Sequence, residues 1–158
     1  MCTLRLTVLA VAFGLSGCSP AATPIEPYAP VSTTPADTPA CRLFDPAQLT
    51  EHRFKNGYAS GSSCFWSADD TGPMMVSLRT GITPEQYLAQ PDGLQTSPIT
   101  IGRHSGLRAE NAAGAGTCSV VLTHPDGVAA ASMLTAAGGR ACEIAEAVMK
   151  VIEPKLPS

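Results

Sequence analysis

The side chains in this sequence that could carry catalysis are three histidines, two adjacent serines and two adjacent aspartates. They are His52, His104, His124, Ser62, Ser63, Asp69 and Asp70. A histidine beside a serine or a carboxylate supplies nucleophilic or general acid–base chemistry. The serines, however, lack the Gly-x-Ser-x-Gly turn that exposes a nucleophile, and the aspartates lie in ADDTGP, which has the composition of a turn. The pattern favours turn and surface roles for all of these side chains.

Motifs for metals and phosphate-bearing cofactors do not accompany these residues. The histidines are far apart in the sequence, and no His-Glu-x-x-His or carboxylate-rich run joins them. The glycine-rich stretch AAGAGT, residues 112–117, has neither the phosphate-loop nor the dinucleotide-binding order. We therefore expect no metal, no cofactor and no enzymatic activity, with a histidine-dependent hydrolase as the remaining alternative.

The chain opens with MCTLRLTVLAVAFGLSGC, in which Arg5 precedes ten mostly apolar residues. At about 1.5 Å of helical rise per residue, ten residues cover only half of a hydrocarbon layer roughly 30 Å thick. The pattern predicts a secretory signal peptide over residues 1–17. Leu15-Ser16-Gly17-Cys18 resembles the bacterial lipobox, in which the cysteine thiol receives a diacylglycerol and the chain is cut before it. The alternative is an ordinary signal peptide that ends in cysteine.

Acylation of Cys18 would hold the mature protein on the extracytoplasmic face of the cell membrane, because two acyl chains such as palmitate suffice for stable anchoring. Residues 18–40 then form a lipidated cysteine and a linker, since the stretch 19–40 contains six prolines and few aliphatic side chains. A proline-rich ligand for a partner is the alternative reading of that stretch. The formal net charge of −3 becomes −4 without Arg5, and no basic patch for nucleic acid is present.

Four cysteines remain in the exported chain, Cys41, Cys64, Cys118 and Cys142, at spacings of 23, 54 and 24 residues. An even number in an exported protein indicates disulfides, whereas a zinc site or a redox motif would need closely spaced pairs such as Cys-x-x-Cys. Of three connectivities, we predict Cys41–Cys64 and Cys118–Cys142, because only one or two short elements separate each pair. Each bridge would contribute roughly 3 kcal/mol by closing a loop of about 25 residues.

Residues 41–158 are predicted to form one globular α+β domain with an antiparallel sheet and helices packed on one face. LFDPAQLTEH and TPEQYLAQ carry helix-capping signals, and RACEIAEAVMKVIEP repeats apolar residues at helical spacing. The predicted strands are SCFWSAD, MVSLRT, ITIGR, GLRAE, TCSVVLTH and GVAAASML, the last two joined by a His-Pro-Asp-Gly turn. Trp66 is expected in the core, and the alternative is a wall of a ligand groove.

The phrases ACRLFDPAQL, SSCFWS, YLAQ, IGRHSGLRAE, TCSVVL and ACEIAEAVMKVI follow one another in a recognisable order. Together with the lipobox they resemble the actinobacterial lipoproteins grouped as domain of unknown function 3558, over residues 15–154. The resemblance implies an anchored extracytoplasmic domain similar in fold to the Mog1 and PsbP group, and it supplies no reaction. Phe44 stands where the family pattern leads us to expect a second leucine.

The leading hypothesis is a non-catalytic binding or accessory module of the cell envelope whose partner is an envelope protein or a small ligand. A carrier of a lipid or another apolar ligand is the alternative, and it would need a cavity of several hundred Å³. The small residues 129–131 would either leave room for such a ligand or let a helix pack closely. Arg79, Arg103 and Arg108 are candidates for a positive partner surface in an acidic protein, against the alternative of scattered solvated arginines.

Overall fold

The computed structural model describes residues 39–51, 53–67, 72–89, 94–134 and 139–158. The predicted signal peptide, Cys18 and the linker before residue 39 lie outside these ranges, as do His52, Asp69 and Asp70. The helices are α1 at Pro46–Glu51, α2 at Pro84–Leu88 and α3 at Ala141–Ile152, with short 3-10 turns at Cys41–Leu43 and Glu153–Lys155. The strands are β1 at Lys55–Ser60, β2 at Ser63–Ser67, β3 at Met74–Thr80, β4 at Gln95–Ile101, β5 at His104–Glu110, β6 at Thr117–His124 and β7 at Gly127–Leu134.

The seven strands form one antiparallel sheet in the order β1-β2-β3-β7-β6-β5-β4. This confirms the predicted α+β class and the antiparallel sheet. The β6–β7 hairpin turns through Pro125 and Asp126, and Gly127 adopts a φ of 151°. A side chain at residue 127 would overlap the backbone of Arg79 on β3, so the turn needs glycine for close approach as well as for its backbone angle.

The two short helices begin where the capping signals predict. Before α1, the Gln48 amide donates to Asp45 Oδ1 at 2.9 Å, and the Asp45 amide donates to Gln48 Oε1 at 3.3 Å. Before α2, Thr83 and Gln86 make the same reciprocal pair at 3.3 and 2.9 Å. Each capping box satisfies two amide groups that a helix start otherwise leaves without partners.

The main core lies between α3 and one face of the sheet. The apolar side of α3 buries Ala145, Val148 and Ile152 against the central strands β6 and β7. Ala129 and Ala131 are fully buried there, so these small residues allow the helix to pack closely on the sheet. Trp66 is 3% exposed and meets Phe44 edge-on at 5.1 Å, which confirms its predicted core position.

The second helix, α2, packs against the opposite face of the sheet. Leu88 contacts a separate cluster that contains Ala109, Val121 and Ala130. Val121 and Ala130 alternate with residues that face α3, so they point to the other side of the sheet. The helices therefore do not all share one face as expected, because Val121 of β6 and Ala130 of β7 form a second apolar cluster on the other face, which Leu88 of α2 covers.

Strand β1 has no counterpart among the predicted strands. This strand lies at the edge of the sheet. Its sequence, KNGYAS, therefore lacks the apolar alternation that indicates a strand. Its placement depends on Gly57, where an added Cβ would lie 2.5 Å from Trp66 Nε1. The strand pairs with β2 because glycine leaves room for the buried indole, a contact that no local sequence pattern reveals.

Both predicted disulfides are confirmed. Cys41–Cys64 joins the first 3-10 turn to β2 across a Cα–Cα distance of 5.1 Å. Cys118–Cys142 joins β6 to the start of α3 across 5.0 Å. Each bridge thus connects an element near one end of the domain to a strand of the sheet.

We expect the double replacement Cys118→Ala with Cys142→Ala to lower the free energy of unfolding by roughly 3 kcal/mol, because it removes the constraint on a loop of 24 residues in the unfolded chain. Urea denaturation followed by circular dichroism measures the loss. Replacing Cys41 and Cys64 by alanine removes a loop of similar size, 23 residues, and should cost about as much. An unchanged urea midpoint in the first variant would contradict the prediction.

Candidate functional site at one end of the sheet

Three turns meet at one end of the sheet, those joining β1 to β2, β4 to β5 and β6 to β7. Gly106 on β5 pairs with Leu122 on β6. His104, the first residue of β5, lies two residues before Gly106, and His124, the last residue of β6, lies two residues after Leu122. The register therefore brings these two histidines to the same end and the same face of the sheet. Residues 153–157, which follow α3, cross this end and are called the C-terminal tail below.

A buried contact between a histidine and a carboxylate fixes the tail to the sheet. His104 Nδ1 lies 2.8 Å from Glu153 Oε1, and His104 Nε2 lies 2.9 Å from the carbonyl oxygen of Pro157. Both side chains are buried. Each ring nitrogen of His104 therefore faces one oxygen acceptor of the tail.

The turn before His104 also contacts the tail. The residues that attach the tail to this turn are called the clasp: Arg103, His104, Glu153, Leu156 and Pro157. The Arg103 amide donates to Glu153 Oε1 at 2.9 Å, and Arg103 Nη2 donates to the Leu156 carbonyl at 3.1 Å. The amide of Arg103 and then the ring of His104 lower the pKa of Glu153, against a smaller opposing effect of burial. The carboxylate is therefore held ionised, and it ties the tail to the β4–β5 turn.

A cavity of about 560 Å³ lies behind the tail and is called the tail cavity. Its wall is largely apolar and includes Leu43, Leu78 and Leu156. Ser62 and His124 also line it, and Ser62 Oγ and His124 Nε2 are buried without a hydrogen-bond partner in the described part of the chain. These two atoms are free to bind a molecule that enters the cavity.

The tail cavity brings Ser62, His124 and Asp126 together, but not in the geometry of a catalytic triad. His124 Nδ1 accepts a hydrogen bond from the Asp126 amide at 3.3 Å, whereas a triad histidine donates from this nitrogen to a carboxylate. Because Ser62 Oγ and His124 Nε2 both lack a partner, no hydrogen bond joins them. The arrangement offers hydrogen bonds to a ligand and lacks the serine–histidine contact that activates a nucleophile.

A groove of about 870 Å³ runs along the opposite face of the sheet, beside α2, and is called the open groove. Phe65, Met75 and Tyr87 form apolar walls, and Tyr58, 41% exposed, stacks on Phe65 at 5.1 Å. Ser77, Ser119 and Ser132 line its floor. Ser77 is hydrogen-bonded to Ser63 at 2.7 Å, and Ser119 to Ser132 at 2.8 Å. The groove therefore combines aromatic walls with an uncharged polar floor.

The three arginines predicted as a partner surface are divided between the two faces of the sheet. Arg79 projects into the open groove, opposite Val128. Arg108 lies on the α3 face and pairs with Glu110 at 2.7 Å and with Glu146 at 3.5 Å. Arg103 belongs to the clasp. Among the residues that the structure describes, Arg79 is the one of the three without an ion pair.

The remaining predicted residues are accounted for as follows. Ser63 is buried in its pair with Ser77, and residues 112–116 lie in the turn between β5 and β6, with Thr117 starting β6. Within the described ranges no three histidine, cysteine or acidic side chains come together as metal ligands would. None of the helices in those ranges is long and apolar enough to cross a membrane.

Sequence reasoning missed Glu153 and the serine pairs. Glu153 follows the last turn of a helix, where a carboxylate usually faces water, and its partner His104 is 49 residues earlier. The serine pairs carry a weak signal, since Ser63, Ser77, Ser119 and Ser132 all occupy alternate strand positions on the groove face. Pairing them requires the strand order, which the sequence does not specify.

The clasp predicts an acid-dependent component of stability. Because the folded state lowers the pKa of Glu153 below its ordinary value of 4.5, its stabilising effect is present above that pH and is lost as the pH falls through the folded pKa. We expect Glu153→Gln to destabilise the protein at pH 7 and to make much less difference well below pH 4. Thermal unfolding of both proteins across that range measures the effect.

Glu143→Gln is the matched control, because Glu143 also has a lowered pKa, through Arg140, but this pair is exposed to solvent. Its unfolding temperature should stay close to that of the unmodified protein at each pH. Equal losses from Glu153→Gln at pH 7 and at pH 3 would show that the carboxylate charge does not hold the tail.

Comparison with known proteins supplies a family. The family model described as "Protein of unknown function (DUF3558)" matches residues 13–155. No curated protein and no solved structure matches the chain. The match covers the sheet, the three helices of the described ranges, both disulfides, and Arg103, His104 and Glu153 of the clasp. The chain therefore belongs to the DUF3558 family.

Proposed function

We propose that this protein is an actinobacterial envelope lipoprotein, anchored through Cys18 on the extracytoplasmic face of the membrane, whose domain acts by binding. The short apolar segment followed by Leu15-Ser16-Gly17-Cys18 supports the anchor. The two disulfides support export, because such bonds persist mainly in oxidising compartments. The proline-rich stretch before residue 39 suits a spacer between the membrane and the domain.

The open groove carries the binding proposal. Its volume of about 870 Å³ lies within the range of small-molecule sites, and its walls are aromatic and aliphatic. Arg79 is the single charged residue among the described residues that line it. A guanidinium that has no ion pair with the described residues, in a groove where they place no other charge, suits a ligand with an apolar body and one anionic group.

For such a ligand, an apolar anion, we favour a module that presents or exchanges it over a carrier that encloses it. A carrier was expected to hold its ligand between the sheet and the helices, but Ala129, Ala131 and Val148 are fully buried in that space. The groove instead opens on the face that the five residues of α2 cover in part. The ligand would therefore remain accessible to a partner in the envelope.

Photocrosslinking in intact cells tests the groove. A benzoylphenylalanine in place of Tyr87, an aromatic residue of the groove wall, should form a covalent adduct with an anionic amphiphile, detected by the intact mass of the purified protein. We expect Arg79→Glu to abolish the adduct by charge repulsion. The same photoreactive residue at Lys150, exposed on α3, is the control and should yield none.

Either of two results would reject the groove as the ligand site. One is the absence of a small-molecule adduct at residue 87, including the case in which only proteins are crosslinked there. The other is an adduct whose yield is the same with arginine and with glutamate at residue 79.

Metabolic labelling with a fatty acid tests the anchor separately. The unmodified protein should incorporate the label, because the thiol of Cys18 is the expected acceptor, and Cys18→Ser should not. Cys2→Ser is the matched control, since Cys2 lies in the part removed with the signal peptide and its replacement should leave labelling intact. Equal labelling of the unmodified protein and Cys18→Ser would exclude Cys18 as the acylated residue.

A further inference from the structure

The open groove has a direction, because its charge and its aromatic wall lie at different levels of strand β3. Arg79 and Met75 both line the groove and lie four residues apart on this strand. At about 3.4 Å per residue, their Cα atoms are roughly 13 Å apart. Phe65 of β2 pairs with Met75, so this part of the aromatic wall stands at the level of Met75. The groove therefore has a cationic end at Arg79 and an apolar end at Met75.

The glycine-rich turn between β5 and β6 lies beyond the apolar end. Met75 pairs with Ser132 of β7, and Ser132 pairs with Ser119 of β6. Thr117, two residues before Ser119, begins β6 directly after the turn. Four positions separate Arg79 from Met75 and two more separate Ser119 from Thr117, so the turn lies roughly 20 Å from the level of Arg79.

Two alanines of this turn, Ala112 and Ala113, line the groove at its apolar end. Ala112 also packs against the cluster that contains Leu88 and Val121, which places the turn on the same face of the sheet as α2. Ala115 belongs to the same turn and is exposed, but it is not among the described residues that line the groove. The groove thus ends at two of the smallest side chains in the fold.

Hydrogen bonds within the turn fix the position of these alanines. The Ala113 amide donates to Thr117 Oγ1 at 2.9 Å, and Thr117 Oγ1 donates to the Gly114 carbonyl at 2.8 Å. The Asn111 amide donates to the Thr117 carbonyl at 2.8 Å, and the Gly116 amide donates to Asn111 Oδ1 at 3.1 Å. All of these bonds are made by the backbone and by the side chains of Asn111 and Thr117, so the alanine methyl groups are held in place to meet a ligand.

The floor between the two ends suits a plain hydrocarbon chain. Ser77 is hydrogen-bonded to Ser63, and Ser132 to Ser119. A chain that covers these serines therefore leaves none of the four hydroxyls without a hydrogen-bond partner, which would be costly for a buried polar group.

We propose that Ala112 and Ala113 set the length of the ligand that the open groove accepts. This inference rests on the proposed function, since it takes the anionic group of the ligand to bind Arg79. The chain then runs along β3 and ends at the turn. Carbon–carbon bonds of about 1.5 Å advance an extended chain by roughly 1.25 Å each, so a path of roughly 20 Å takes an anionic group and a linear chain of about 14 carbons.

The first test maps the orientation of tetradecanoate on the full-length protein in nonionic detergent. One probe carries a photoreactive diazirine near the last carbon of the chain, and a second carries it beside the carboxylate. Tandem mass spectrometry of the digested protein identifies the labelled residues. The chain-end probe should label Met75 or residues 112–113, and the carboxylate-end probe should label Thr80 or Ile82, which line the groove close to Arg79 in the sequence.

The second test shortens the path with Ala113→Trp. Competition of unlabelled tetradecanoate and decanoate against the chain-end probe compares each variant with the unmodified protein at one chain length, so the partition of the fatty acid into detergent cancels. Ala113→Trp should lower tetradecanoate affinity roughly tenfold, the effect of exposing about two methylene groups, and leave decanoate affinity nearly unchanged. Ala115→Trp, the same substitution in the same turn but outside the groove, is the matched control and should change neither affinity. Thermal unfolding checks that both variants are folded, and the orientation map of the unmodified protein does not depend on them.

Two outcomes would overturn the length proposal and leave the proposed function standing. One is a reversed orientation, in which the chain-end probe labels Thr80 or Ile82. The other is a folded Ala113→Trp variant that binds tetradecanoate as tightly as the unmodified protein. A chain-end probe that labels no residue of the groove also rejects the length proposal, and the adduct at residue 87 in intact cells then decides by itself whether the groove binds another apolar anion.

Discussion

The burial of strand β6 on both of its faces is the constraint on which the rest of the fold depends. Seven of its eight residues are buried: Cys118, Val120 and Leu122 face the core under α3, whereas on the other face Val121 joins the cluster under α2 and Thr117 and Ser119 line the open groove. Leaving one face of such a strand wet would forgo about 1.5–3 kcal/mol for each large apolar side chain. The twelve residues of α3 cover one face, but α2 has only five. The open groove is the part of the second face that this short helix does not reach.

The tail is held mainly by hydrogen bonds of charged side chains, those of Glu153, Arg103 and Lys155. Leu156 is buried, but Lys155 and Pro157 are exposed, and the hydrogen bonds of Glu153 supply the attachment to the sheet. At Gly102, a side chain would overlap the Glu153 carboxylate, so the β4–β5 turn accepts only glycine there. The tail is at the same time a wall of the tail cavity, and the geometry of that cavity follows from the clasp.

Local signals account for what the sequence predicted correctly. Capping residues, the glycine of the β6–β7 turn and the apolar repeat of α3 each act over a few residues, and each identified its element. Disulfide pairing was predictable because both bridges join cysteines separated by short elements. The features that sequence reasoning missed all need partners from distant parts of the chain. Strand β1 depends on the contact between Gly57 and Trp66. The position of α2 depends on Val121 and Ala130. The clasp depends on a glutamate that lies 49 residues from its histidine in the sequence.

The bridge between Cys41 and Cys64 also determines how the domain would carry a mechanical load. Tension applied to the chain before residue 41 passes through the sulfur–sulfur bond directly into β2, which lies between β1 and β3 in the sheet. The segment between Cys41 and Cys64, which contains α1 and the edge strand β1, therefore carries none of the tension and is not detached from the sheet first. To unravel the domain from this end, a pull must shear β2 from its neighbours, which breaks several backbone hydrogen bonds at once.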